Sequence, residues 1–275
     1  MKIDMHCHVK EGSIDSKVTL EEYITVLKER GFQGMLITDH DTYNGYRHWK
    51  SQMKGKVHQD FVVLKGIEYD TCDAGHIICI MPEGVKMRLL ELRGLPVTVL
   101  IDFVHRHGGI LGPAHPCGEK YLSFANTKRY YKSPEIIKRF DFIEVFNACE
   151  PEESNQGAAK LAKKYKKPGI GGSDAHKPDC IGRGCTVLPE KVTCETELIA
   201  LIRRKVPIET GGVLYEGTTR DKMGKANKLL AYSFWFYNKS GTLLKHHKRK
   251  ARSEIENPAA PIDPIEISYL KEKRN

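Results

Sequence analysis

No apolar run in this chain of 275 residues approaches the roughly 20 residues that a membrane-spanning helix needs. A helical membrane protein is therefore excluded, and no membrane partner is expected. The first apolar segment, Ile3-Asp4-Met5-His6-Cys7-His8, starts almost at once and reads as a strand, leaving no room for a secretory leader. A cytoplasmic location is the expectation. A paired-cysteine motif is also missing: Cys7, Cys72, Cys79, Cys117, Cys149, Cys180, Cys185 and Cys194 are scattered, with no CxxC among them. Disulfide scaffolds and zinc ribbons need closer pairing, so these read as reduced intracellular thiols.

What is present is ordinary in bulk. With 40% hydrophobic and 29% charged residues, the chain has enough apolar material for one large α/β barrel or two smaller domains. The net charge of +9 suggests an anionic partner, yet the excess is uneven. From Glu216 onward there are thirteen Lys and Arg against seven Asp and Glu, so the basic balance is largely a property of the tail.

Along the chain, Thr19 with Glu22 three residues on reads as a capping box opening a helix, with Tyr23, Val26 and Leu27 as its buried stripe and Gly31 ending it. Gly34-Met35-Leu36-Ile37-Thr38 is a continuous apolar run, as in a strand buried on both faces of a parallel sheet. Phe61-Val62-Val63-Leu64 leads to Glu68, and His76 to Ile80 reads as an antiparallel return strand across Asp73-Ala74-Gly75. Helices are expected over 97–107, near 134–139 and over 154–166, each preceding another apolar run. Residues 208–213 read as one more strand, 220–237 as an outer helix and 245–275 as a basic, proline-containing tail. The repeated strand-helix order argues for a closed or nearly closed parallel barrel, whose chemistry sits at the carboxyl ends of its strands.

Those ends carry a pattern. Side chains alternate along a strand, so His6 and His8 share one face while Met5 and Cys7 take the other. An isolated His-x-His is more often a pair of surface or core histidines. Here it is followed, strand after strand, by Thr38-Asp39-His40-Asp41, Gly66-Ile67-Glu68, Gly75-His76, Ala114-His115-Pro116, Ile143-Glu144-Val145-Phe146-Asn147 and Gly172-Ser173-Asp174-Ala175-His176. Together these describe a hydrolase with several metal ions.

In that order the motifs resemble the PHP family of metal-dependent phosphoesterases, over about residues 1–186. The resemblance implies a distorted (β/α)7 barrel, here over 1–215, with 216–275 as a C-terminal helical extension and basic tail. It also implies two or three divalent ions, Mn, Fe or Zn, and hydrolysis of phosphoesters by metal-activated water. The Thr-Asp-His-Asp-Thr form, and Gly182-Arg183 shortly after His176, look closest to the branch acting on nucleotides and short RNA phosphates. Histidinol-phosphate or phosphotyrosine phosphatase activity, or a non-catalytic PHP binding module, are the alternatives.

Carried over by position, His6, His8, Glu68 and Asp174 would hold one ion, with Glu68 bridging to a second completed by His76 and His115. Asp15, His40 and His176 would hold a third, with Glu11 the alternative to Asp15 because the first loop is longer than the family's. Glu68, His176 and Arg183 are the expected catalytic residues, and Arg183 and Lys120 the expected grip on phosphate. Asp4, Asp39 and Asp41 read as orienters of imidazoles, while Glu144 and Asn147 are open between that role and plain structural bonding. His48, His58, His105 and His107 read as surface residues. The expected partner is a phosphorylated small molecule or oligonucleotide, with the basic tail making weak nucleic-acid contact.

Overall fold

The computed structural model describes residues 1–118 and 122–216. Lys120, the helix expected over 220–237 and the tail of 245–275 lie outside the described residues.

Strand β1 (Lys2–Cys7) is followed by α1 (Leu20–Glu29), β2 (Gly34–Ile37), α2 (Asn44–His48), β3 (Val62–Asp70) and β4 (His76–Ile80). Then come α3 (Val97–Arg106), β5 (Ile110–Pro113), α4 (Lys128–Lys132), β6 (Ile143–Asn147), α5 (Glu152–Tyr165) and β7 (Gly169–Gly172). The described order ends with β8 (Gly184–Val187), α6 (Glu195–Arg203) and β9 (Glu209–Gly212). Thr19 caps α1 as its sequence requires, its hydroxyl accepting from Glu22 N at 3.3 Å. The helix expected near 134–139 is present as a short 3-10 helix, Pro134–Arg139.

Seven strands form one sheet in the order β5-β4-β3-β2-β1-β8-β9. Strands β1, β2 and β3 are parallel, whereas β4 runs against both β3 and β5, and β8 runs against β1. The parallel pair β6-β7 spans the remaining gap: Asp141 N donates to Leu111 O on β5, and Asp174 N to His6 O on β1, both at 2.9 Å. The sheet thus curls into a distorted barrel of mixed direction. The repeat of strand and helix read from the sequence holds for β1 to β3 and for β6 to β7; the β3-β4 hairpin and β8 depart from it.

Inside the barrel a layer rule positions the site. The lower inward positions are apolar: Leu36, Leu64, Ile78, Ile80, Ile110, Phe142 and Ile170 form one cluster, closed from below by Leu198 and Ile202 of α6. Two or four residues further up the same faces stand Glu68, His76, Glu144 and Asp174. Strand β1 breaks simple alternation. Met5 packs in the barrel floor and Cys7 under α1, because a bulge between Asp4 and Cys7 puts three residues of β1 against two of β2. Met5 and Cys7 therefore do not share a face, and the bulge is what delivers His6 and His8 inward above an apolar floor.

The crossing of β7 over β1 is equally tight. A Cβ on Gly172 would lie 2.4 Å from His6 Cβ and 2.5 Å from His6 N, so only glycine admits this approach. Gly172→Ala is expected to destabilise the fold by about 1–3 kcal/mol or more through overpacking. Gly211→Ala, where an added Cβ meets nothing within 4 Å, should stay within about 0.5 kcal/mol of wild type in the same urea titration.

Candidate metal centre

At the top of the barrel, ring nitrogens and carboxylate oxygens converge. His6 Nε2 and His8 Nε2 stand 3.0 Å apart, each 3.2–3.3 Å from Glu68 Oε2. Asp174 Oδ1 approaches them at 3.5 and 3.2 Å. The other Glu68 oxygen, Oε1, lies 2.9 Å from His76 Nδ1 and 3.1 Å from His115 Nε2. His40 connects these groups to the mouth: its Nδ1 is 3.1 Å from Glu68 Oε2, and its Nε2 is 3.4 Å from Asp15 Oδ2, which His176 Nε2 meets at 3.6 Å. Three sets of donor atoms, each within 4.8 Å of one another, are His6-His8-Glu68, His40-Glu68-His76 and His8-His40-His176. All nine side chains singled out in the sequence as ligands are thus brought to one place.

Outer partners fix how these rings point. His6 Nδ1 is 2.9 Å from Glu144 Oε1, so it carries the proton and donates, which turns the Nε2 lone pair toward His8, Glu68 and Asp174. The second Glu144 oxygen accepts from His115 N at 2.5 Å, tying two ligand strands to one carboxylate. Asn147 Nδ2 donates to Asp174 Oδ2 at 3.1 Å, leaving Oδ1 for the imidazoles. Ser13 Oγ lies 3.2 Å from His8 Nδ1. The sequence left Glu144 and Asn147 open and gave no signal for Ser13, whose role depends on how the first loop folds back under Asp39.

Backbone strain sits at the same strand ends. His115 and Asp174 have φ of 29° and 51°, left-handed values that cost a non-glycine residue energy and persist where surrounding bonds hold them.

The electrostatics call for cations. Burial disfavours charge on His8, yet the carboxylates of Asp174 and Glu68 beside it outweigh that and push its pKa up to about 10. His6 is likewise held well above its ordinary value, against burial, by Glu144, Asp174 and Glu68. Protons on both would place two imidazolium groups nose to nose at 3.0 Å. His40, by contrast, is held neutral by burial, its pKa pushed down to about 3. Glu68 Oε2 and His76 Nδ1 are buried yet make no hydrogen bond of acceptable geometry. Lone pairs and carboxylates facing one another in a dry pocket fit divalent metal ions.

Several expected roles are placed differently. Glu11 accepts from Leu20 N at 3.1 Å and serves the start of α1, whereas Asp15 faces His40 and His176. Asp4 accepts from the backbone N of Ser173 and of His6 at 2.9 and 3.2 Å, so it staples β7 to β1 and orients no imidazole. Asp39 holds Val9 N and Ser13 Oγ at 2.9 and 3.1 Å, touching His8 only through that serine. Asp41 takes Asp70 N at 2.9 Å and faces Arg93. Arg183 donates from Nε to Asp179 O at 2.7 Å with its guanidinium over the Tyr215 ring, on the loop that follows His176. His58 and His105 are bonded to Glu21 and Asp141.

Glu144→Gln places an amide NH2 against either the His6 Nδ1 proton or the His115 amide. It should lower metal affinity by roughly 10–100-fold, the usual effect of losing an orienting partner, with the far-ultraviolet spectrum unchanged. Competition with a chelator reads this directly.

Comparison with known proteins agrees with this geometry. The PHP domain model matches residues 4–171, and the PHP-associated model matches 152–207. No curated protein matches the chain in sequence. Among solved structures, PfuEndoQ of Pyrococcus furiosus, a lesion-specific endonuclease, superposes with a TM-score of 0.55 at 17% identity over 76% of this chain and 58% of that one. PsfC of Pseudomonas syringae gives 0.54 at 16% identity, covering 86% and 96%. A two-domain protein of Bacteroides vulgatus containing a predicted PHP-like metal-dependent phosphoesterase gives 0.51 at 16% identity, covering 78% and 65%. This chain therefore spans less than two thirds of the Bacteroides and Pyrococcus proteins, and these likenesses concern the fold. With a family model matched over residues 4–171, more than half of its length, the chain belongs to the PHP domain family.

Proposed function

We propose that this chain is a metal-dependent phosphoesterase acting on nucleotides or on the phosphorylated ends of short oligonucleotides, using two or three ions of Mn, Fe or Zn. The observation that carries the reading is Glu68, whose two oxygens face two different groups of imidazoles, so that this one carboxylate would help to hold more than one ion. Ions held there supply the positive charge that makes water a nucleophile near neutral pH and offsets charge on the phosphoryl oxygens.

The chain's own residues divide the remaining work. His6, His8, Glu68 and Asp174, almost wholly buried, form the floor and exclude bulk water. Asp15, His40 and His176 are partly exposed and meet an arriving substrate first. His176 Nδ1 donates to Asp174 O at 3.0 Å, which turns Nε2 toward Asp15 and the mouth. Arg183, on the loop beyond His176, is the candidate grip on a phosphate oxygen. The basic balance of the chain supports an anionic polymer as substrate, with 1–215 as the hydrolase and the segment 216–275 adding affinity. One solved relative of this fold, Endonuclease Q, was crystallised with a 27-mer duplex bearing an abasic lesion at its active site.

A screen with added Mn, Fe or Zn should find turnover of nucleotides or 5′-phosphorylated oligonucleotides exceeding that of histidinol phosphate and phosphotyrosine peptides. The reverse ranking would assign the protein to another branch. In the same assay Glu68→Gln should cost roughly 100-fold or more in kcat/KM, above the range of outer-partner changes, and Asp15→Asn considerably less. Equal losses would make the third group part of the chemistry and end the two-ion account.

A further inference from the structure

Behind Glu68, on the outer face of the barrel wall, lies a cleft of about 210 Å³. Strand alternation places Lys65 on the face opposite Glu68, so the cleft and the metal centre are separated by β3 itself. Its other walls are α2, the five-residue π-helical turn Trp49–Met53 and the loop after β4. Short π segments carry a cost and recur at functional sites.

The lining is unusual in charge. Arg47, Lys50, Lys54, Lys65, Lys86 and Arg88 face three acids, Glu83, Glu91 and Glu195. Two of those acids are engaged within the walls: Glu91 takes Arg47 at 2.6 Å, and Glu195 accepts from Lys65 N at 2.6 Å. Lys50, Lys54 and Lys86 have no acidic partner within 4.0 Å among the described residues. Lys65, partly buried, reaches Val85 O at 2.7 Å and lies 5.7 Å from the centre of the Tyr43 ring. Its ammonium is disfavoured by burial, favoured by Glu195 and Glu83, and disfavoured by Lys50 and Arg47, with the net shift downward. Lys50, Lys54 and Lys86 stand exposed around the cleft, and like charges gathered there make a positive field that an anion can meet. The remaining walls, Tyr43, Tyr46, Val85 and Met87, are aromatic or apolar.

We propose that this cleft is a second binding site, distinct from the metal centre, for a phosphate monoester carried on a single planar ring. Lys50, Lys54 and Lys86 outnumber the one remaining acid, Glu83, and suit a dianion better than a carboxylate, while the half-buried Tyr46, beside the buried Tyr43, offers a face to a ring. The volume lies below the roughly 300–1,000 Å³ of drug-sized sites, which limits the ligand to about one ring and one phosphate.

The test uses phenylphosphonate, a non-hydrolysable probe of that chemistry, titrated calorimetrically into the full metal-loaded chain. Two binding events are expected in wild type, one at each site. Lys50→Glu/Lys86→Glu should weaken one of them tenfold or more while leaving kcat on a small phosphate ester unchanged. Glu68→Gln should spare that same event, and in it the cleft ligand should still perturb the fluorescence of Trp49, which adjoins Lys50. Inorganic phosphate should bind the cleft at least tenfold more weakly than phenylphosphonate; equal affinity would remove the ring from the assignment. A single event, abolished by Glu68→Gln and indifferent to the lysine charges, would overturn the second site while leaving the phosphoesterase reading intact.

Discussion

The Glu68 carboxylate, shared between His6 and His8 on one side and His76 and His115 on the other, is the contact on which the upper barrel depends. Ring nitrogens whose protons point outward, to Glu144 for His6, have only lone pairs to present inward. Packed around two buried carboxylates, such a set is stable only with positive charge among it. Protons serve poorly at a spacing of 3.0 Å, and divalent ions serve well. The same logic explains the tight outer bonding, because a ring that could turn would lose its place in the set.

The scaffold makes that gathering affordable. The bulge in β1 turns His6 and His8 above the apolar floor, Gly172 lets β7 cross close to His6, and left-handed backbone at His115 and Asp174 aims those ends inward. Asp4 then bonds β7 to β1 through two backbone amides, and burial pushes its own pKa up to about 6. The bulge, the close crossing and the left-handed backbone are local departures from regular strand geometry, and each lies within two residues of a candidate ligand. Local strain is here bound up with the convergence of the site.

Much of this was legible in the sequence, for a physical reason. Buried parallel strands read as apolar runs, so Gly34 to Ile37 is visible at once, and a polar residue ending such a run stands out as chemistry. The return of β4 follows from its glycine turn. Less legible was anything that depends on two distant segments meeting. That Glu11 serves α1 while Asp15 reaches His40 depends on how loop 9–18 closes. That Glu144 holds both His6 and His115 depends on β6 lying between β5 and β7. The bulge is likewise invisible to a rule of strict alternation, which is why Met5 and Cys7 were expected on one face. The antiparallel β8 is not legible in the sequence because four residues with two inward positions carry almost no periodic signal.

The account stands most directly on how many metal ions the folded chain holds. Elemental analysis of protein produced in metal-replete medium, purified without chelator, should give two or three transition-metal ions per chain, and mild chelation should lower the melting temperature as they leave. Less than one ion per chain, with a melting temperature indifferent to chelator, would contradict it.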